Sequence, residues 1–359
     1  MTPEERAWEV VRRAFEERTP HSRPRRRPTL AVALAVLAVA LGLVTAGLSA
    51  SQSVRRALGV EHAAPALVRL PAAGRLIVNS GAGPWIVDQD GSKRRLGAWR
   101  EASWSPHGLF EVAVRARELA ALDSKGNVRW SLERGPIRAA RWSGDGYRIA
   151  YLSGSSLRVV AGDGTGDRLL TARVAPVPPA WNGVSHQLLY ADLRGRLHLV
   201  DADTRRTIFV TPPAERPLQV GWMSSGRTVV ELTARSLRVF HARSGRLFKA
   251  IPLPPGEHRL ALSPLGPAAV SSPGGIVLVH PQHPWLEPKQ IFRGGGAFAD
   301  LVWSPDGRWL LASWATADQL VAIQLGVHSW AVQRVQAVSA IAQQFHARGT
   351  LSFGGWCCS

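Results

Sequence analysis

From residue 68 to residue 345 the chain alternates short apolar runs with clusters of Ser, Pro, Asp and Gly, and the clusters keep a regular spacing. A five-residue turn led by a large apolar side chain recurs as "WSPHG" at Trp104, "WSGDG" at Trp142, "WNGVS" at Trp181, "WMSSG" at Trp222, "LSPLG" at Leu262 and "WSPDG" at Trp303. The steps between copies are 38, 39, 41, 40 and 41 residues. A period of that size marks an array of one supersecondary unit. Pro suits the second position of such a turn and Gly the last, and Asp145 and Asp306 supply the short polar side chain between them. An apolar run follows each turn, as in "YRIAYLS" after Asp145 and "RWLLASW" after Asp306. A third run comes next ("SLRVVAG", "RLHLVDA", "SLRVFHA", "QLVAIQL"), and a polar hairpin then leads to a fourth, as in "DADTRRTIFVT". Each period therefore predicts four short strands.

Such a sheet has two apolar faces, and stacking successive sheets around an axis covers both. The expected fold is all-β, a β-propeller, with the inner strands apolar at successive positions because they are buried on both sides. The leading tryptophans are expected to pack between neighbouring blades. Three runs between Gly74 and Gly97 make a unit lacking its first strand, and "VQAVSAIAQQF" (Val335 to Phe345) is an apolar run left over at the far end. Joining the two predicts a seventh blade and removes an open edge. Six blades with a loose end is the alternative. The segment Arg141 to Thr171, "RWSGDGYRIAYLSGSSLRVVAGDGTGDRLLT", resembles the repeat of TolB-like and WD-type propellers, and "WSPDGRWLLASW" is similar to it as well. The hairpins at Asp123, Asp201 and His241 are similar to pyrroloquinoline-quinone-type repeats, with the consensus degraded, so no cofactor is expected. The resemblance implies a fold; propellers host binding, scaffolding and catalysis alike.

The amino-terminal part reads differently. Residues 29–50, "TLAVALAVLAVALGLVTAGLSA", carry no charge, and as a helix would be about 33 Å long, enough for a hydrocarbon core of about 30 Å. "RPRRRP" precedes this run, and Arg55 and Arg56 follow it. The positive-inside bias places the N-terminus in the cytoplasm and the propeller outside, in a single-pass membrane protein. A cleaved signal peptide is the rival reading, with an apolar run too long for it. Before the span, Thr2, Pro3 and Glu5 make a helix start, and Ala7, Trp8, Val11, Ala14 and Phe15 share one face. This amphipathic helix wants a surface: the inner leaflet, or a cytoplasmic protein meeting Trp8, Val11 and Phe15. The segment resembles the start of membrane-anchored anti-sigma regulators, without their zinc-binding His/Cys pattern. The expected organisation is 1–28 cytoplasmic, 29–50 transmembrane, 51–67 stalk, 68–345 propeller and 346–359 tail.

The net charge of +18 raises the question of a polyanionic partner, yet 40 of the 44 basic residues are Arg, a skew that reads as compositional. Residues 1–28 hold eight Arg against five Glu, which leaves +15 beyond the span. Outside the cytoplasm no nucleic acid is expected; an anionic envelope component or an unidentified protein fits better. The two cysteines, Cys357 and Cys358, are adjacent, so an ordinary structural staple is not expected, and pairing with a thiol partner or an inert tail are the readings. No G-x-S-x-G elbow, H-E-x-x-H or C-x-x-C is present. "HPQH" at His280 lacks a third metal ligand, "RGGGAF" at Arg293 lacks the Lys-Ser/Thr of a phosphate loop, and "GDGTGD" at Gly162 has too few carboxylates for calcium. The sequence points to no catalytic, cofactor or metal site and to a binding or scaffold module. The other readings are a regulator of a sigma-type factor through residues 3–18, and an enzyme whose residues converge in the propeller mouth.

Overall fold

Strands form where the periodic apolar runs lie. In the computed structural model, which describes residues 69–283, 286–347 and 349–358, they assemble into seven four-stranded antiparallel sheets. The amphipathic face of Trp8, Val11 and Phe15, the apolar run 29–50 and the stalk 51–67 lie outside the described residues. Blades 1 to 6 follow the repeat, with first strands Glu101–Trp104, Ile137–Trp142, Ala180–Trp181, Gln219–Trp222, Arg259–Leu262 and Phe298–Trp303. The first strands of consecutive blades touch all the way around, with blade 7 between blades 6 and 1, so the sheets form a closed seven-bladed propeller with those strands innermost.

The register repeats with the sequence. Trp104, Trp142, Trp181, Trp222 and Trp303 each pair with the residue seven further on (Glu111, Ile149, Leu188, Val229 and Leu310), while Leu262 pairs with Ala268. Second strands such as Thr228–Leu232 and Ala268–Ser272 are buried along their whole length, as expected for a sheet covered on both faces. The core is accordingly divided: the described residues hold seven buried apolar clusters, one at each seam between neighbouring blades.

Ring closure differs from the expectation. The first strand of blade 7 is Ser352–Cys357, pairing with Arg75–Ser80, so the propeller reaches past residue 345 to Cys357, and residues 346–359 are not a loose tail. The run Val335 to Phe345 does other work. Its first part belongs to Val332–Ser339, the outer strand of blade 6, and a single helical turn, α1 (Ile341–Gln344), follows. Phe345 then plugs in against Trp85, its carbonyl held by Ser80 Oγ. The physical reason is crowding at the axis. The closing strand, "SFGGWC", carries two glycines because a Cβ on Gly354 would overlap the Ala102 carbonyl and Ile77, so its sequence shows no apolar run to read. The six-blade alternative fails with it.

At the seam between blades 5 and 6, Trp303 Nε1 donates to the Ala261 carbonyl at 3.1 Å, and the indole is 5 % exposed. Trp303→Phe keeps much of the bulk and loses the bond, an expected cost of about 1 kcal/mol. Trp303→Ala leaves a cavity and should cost about 3–5 kcal/mol. Denaturant midpoints at constant m-value measure both; a Trp303→Phe variant as stable as the parent would rule out the bond as a contributor.

Candidate functional site at the central channel

The innermost strands present one edge to the axis, where side chains and backbone of different blades converge. Three residues before each motif tryptophan or its equivalent, several blades place a polar side chain: Glu101, Gln219, Arg259 and Asp300. Each reaches the backbone of the next blade's inner strand. Glu101 Oε1 accepts from the Ala139 N–H at 2.6 Å. Gln219 holds Leu260 twice, accepting from its N–H at 2.7 Å and donating to its carbonyl at 3.4 Å. Arg259 Nε donates to the Ala299 carbonyl at 2.8 Å, and Asp300 Oδ2 accepts from the Phe353 N–H at 2.7 Å. Between blades 7 and 1, Asn79 brackets both backbone groups of Ala102. At the two remaining seams the motif tryptophans do this, Trp181 Nε1 donating to the Arg141 carbonyl at 3.0 Å and Trp222 Nε1 to Ala180 at 3.1 Å.

Two cavities open beside this wall. One, of about 380 Å³, is lined by Arg141, Trp142, Pro178, Pro179, Trp181 and Gln219. The other, of about 470 Å³, lies among Trp222, Leu262, Trp303, Pro305 and Trp356. The motif residues thus line the cavities as well as the seams. Trp104 and Trp142 are buried, with their indole N–H groups unbonded. Asp145 and Asp306 close their turns: each accepts a bond from the motif serine at 2.5 Å and another from the N–H of Tyr147 or Arg308, and Asp145 also pairs with Arg148 at 3.1 Å and His186 at 3.3 Å. Within the channel wall, burial pushes the Asp300 carboxyl above the usual carboxylate range, opposed by the N–H groups of Phe353 and Leu301 and by the charges of Arg141 and Arg259.

The loops singled out in the sequence remain apart from the channel. Asp163 caps its own turn through the Thr165 N–H and hydroxyl, and Asp167 is held by Arg134, Arg158 and Tyr151. Burial, with His283 and Lys289 nearby, holds the His280 imidazole below its usual range. Among the described residues no group of three or more potential metal ligands converges. Asp123 and Asp201 cap the hairpins between third and fourth strands through nearby backbone N–H groups.

Sequence reading overlooked two features that carried a signal. The polar residue three positions before the motif was visible as E-x-x-W, Q-x-x-W and D-x-x-W. Trp356 pairs with Leu76 as Trp303 pairs with Leu310, which makes "WCC" the seventh copy of the motif, displaced by the wrap of the ring. The disulfide between Cys357 and Cys358 is likewise a correction, since adjacency had argued against a structural bond and for a thiol partner or an inert tail.

Comparison with solved structures returns propellers. Kluyveromyces lactis Hsv2 superposes with a TM-score of 0.58 at 14% identity, covering 74% of this chain and 95% of that one. The β-propeller domain of Myceliophteria thermophila Cps50 (Swd1) gives 0.51 at 15%, covering 66% and 84%. A chain of a mitotic checkpoint complex gives 0.54 at 16%, covering 65% and 78%. No family model and no curated protein matches the chain. At these identities the likeness establishes the WD40-like propeller fold.

Two carboxyl groups are sealed inside second strands. Burial pushes Glu111 to about 8, against the charges of Arg94 and Arg75, and neither of its oxygens has a hydrogen-bond partner. Burial raises Glu231 to about 7, although Arg238 Nη1 lies 2.8 Å away. A carboxyl whose folded pKa is raised keeps its proton in the native state while the unfolded chain releases it. Stability should therefore fall as pH rises from about 4.5 to about 8 and level off above that. Glu111→Gln should flatten this slope and stabilise the protein at pH 8.5, as read by urea midpoints at pH 5 and pH 8.5; an unchanged slope would remove Glu111 as its source.

Proposed function

We propose that this chain is a membrane-anchored, non-catalytic binding module. Residues 29–50 hold it in the membrane with the N-terminus on the cytoplasmic side, and the propeller stands outside, offering its loop faces to a protein or to an anionic envelope component. The observation that supports the binding reading is how the channel's polar side chains are used. Glu101, Gln219, Arg259, Asp300 and Asn79 are all bonded to the backbone of a neighbouring blade. Such a scaffold is rigid, and its loops are left to vary. Apolar side chains stand at loop tips on both faces: Val184, 86 % exposed, in a motif turn, and Leu193, 57 % exposed, in the hairpin between second and third strands. Exposed apolar loop residues on a rigid frame are a common way to bind protein. The mitotic checkpoint complex supplies a propeller that works within a protein assembly.

A second role, regulation of a sigma-type factor, rests on the apolar face Trp8, Val11 and Phe15, which calls for a surface on the inner side. It is compatible with the first.

A reporter enzyme active only outside the cytoplasm, fused after Ser359, should be active in cells, and deleting 29–50 should release the protein from membranes. Photo-crosslinkers at Val184 and Leu193 of the full chain should give adducts with a partner other than itself. An inactive reporter would overturn the topology, and the absence of adducts at either position would overturn the binding role.

A further inference from the structure

Cys357 and Cys358, bonded to each other, stand at the seam where the last strand closes the ring. In the equivalent turns of blades 1, 2 and 6 the motif serine organises the chain, Ser105, Ser143 and Ser304 each accepting from the N–H five residues on at 2.9–3.0 Å. In blade 7 the cysteine pair occupies the Ser–Pro positions. Both sulfurs rest on Gly108, the last residue of the blade 1 motif turn, where a Cβ would overlap them. Arg75, directly opposite Cys357 in the sheet, converges on the same point. Its Nη2 donates to the Gly108 carbonyl at 2.8 Å, and its guanidinium lies 4.8 Å from the centre of the Trp104 ring. The disulfide, Arg75, Gly108 and Trp104 together clasp blade 7 to blade 1.

A bond between neighbouring residues closes almost no length of chain, so it does little to restrict the unfolded state. Its effect on stability must come from this local native contact. Both cysteines are half-buried, within reach of solvent. A cation beside a cysteine favours the thiolate. We propose that Cys357–Cys358 is a reducible site through which an external dithiol controls closure of the ring. A partner thiolate attacks Cys358 Sγ, the Cys357–Cys358 bond breaks, and Cys357 leaves as a thiolate beside Arg75. The partner's second thiolate then attacks the mixed disulfide. The partner departs as its own disulfide, two electrons pass to the cysteine pair, and Cys358 takes a proton from water. The Cys357 thiolate competes for the guanidinium that holds Gly108 and Trp104. Two separate sulfurs also need more room than a bonded pair, against a backbone already in contact with both. Reduction therefore loosens the strand Ser352–Cys357 and with it the seam to blade 1. This inference is independent of what the loops bind.

The full chain in detergent, with and without a water-soluble phosphine, tests it by alkylation counted by mass, hydrogen exchange and the thermal midpoint. Reduction should make both cysteines alkylatable in the folded protein, raise exchange in Ser352–Cys357, Arg75–Ser80 and Glu101–Trp104, and lower the midpoint by several degrees. In the C357S/C358S double variant the phosphine should do nothing. Gly108→Ala should raise exchange in the same three strands without any reductant, a readout that stands even where the double variant fails to fold. Free thiols with unchanged exchange and midpoint, or a disulfide that resists reduction until the protein unfolds, would overturn the proposal.

Discussion

Each blade of this propeller has an inner strand whose edge toward the axis has no fifth strand to pair with, and the protein satisfies that edge with side chains from next door. Asn79, Glu101, Gln219, Arg259 and Asp300, together with the indoles of Trp181 and Trp222, bind backbone groups of an adjacent inner strand, so all seven seams carry at least one such bond. An unpaired backbone group buried near the axis would cost about 1–3 kcal/mol, and seven seams multiply the cost. The apolar clusters hold the blades together without direction; these bonds fix how each blade is set against the next.

The same constraint bears on function. A polar group at the channel is first a structural group here, and the charged side chains that converge there, Arg141, Arg259 and Asp300, sit in an environment where burial disfavours ionisation of the carboxyl. Most loops lie away from the seams, where a change of residue leaves the blade contacts intact. Among the described residues the basic side chains stand on strands as well as loops, with Arg141 and Arg259 on inner strands, Arg148 on a second strand and Arg168 on an outer one. Part of this positive charge is matched locally, as where Arg148 and Arg168 meet Asp203. Surface pairs of this kind add little stability, and their main effect is to moderate the field a partner meets.

The seam between blades 7 and 1 stands out among the seven. On one side of it stands blade 7, whose first two strands, Ser352–Cys357 and Arg75–Ser80, come from segments about 280 residues apart in sequence. The seam also carries an orphaned buried carboxyl, Glu111, an unbonded indole N–H on Trp104, and the disulfide. Local chain connectivity reinforces the other blades, whereas this one depends on long-range pairing. That is where a fold of this kind has the most to gain from a covalent clasp and is most sensitive to its loss.

Much of this was legible in the order of residues. The recurrence of Trp104, Trp142, Trp181, Trp222, Leu262 and Trp303, with four apolar runs per period, determined the blade and its repetition, because the alternation of strand and turn is a local property of φ/ψ preference and burial. Which strand closes the ring was decided by tertiary structure. "VQAVSAIAQQF" had the apolar character of a strand in search of a sheet, and it took an outer edge and a plug instead. "SFGGWC" had little such character, and took the most crowded position in the molecule because its glycines fit beside Ala102. Apolar pattern reports burial, and at the axis the governing quantity is room. The partners of Glu101, Asp300 and Cys358 lie 38, 53 and 250 residues away along the chain or closed a ring that exists only once all blades are in place, so no local pattern could specify them.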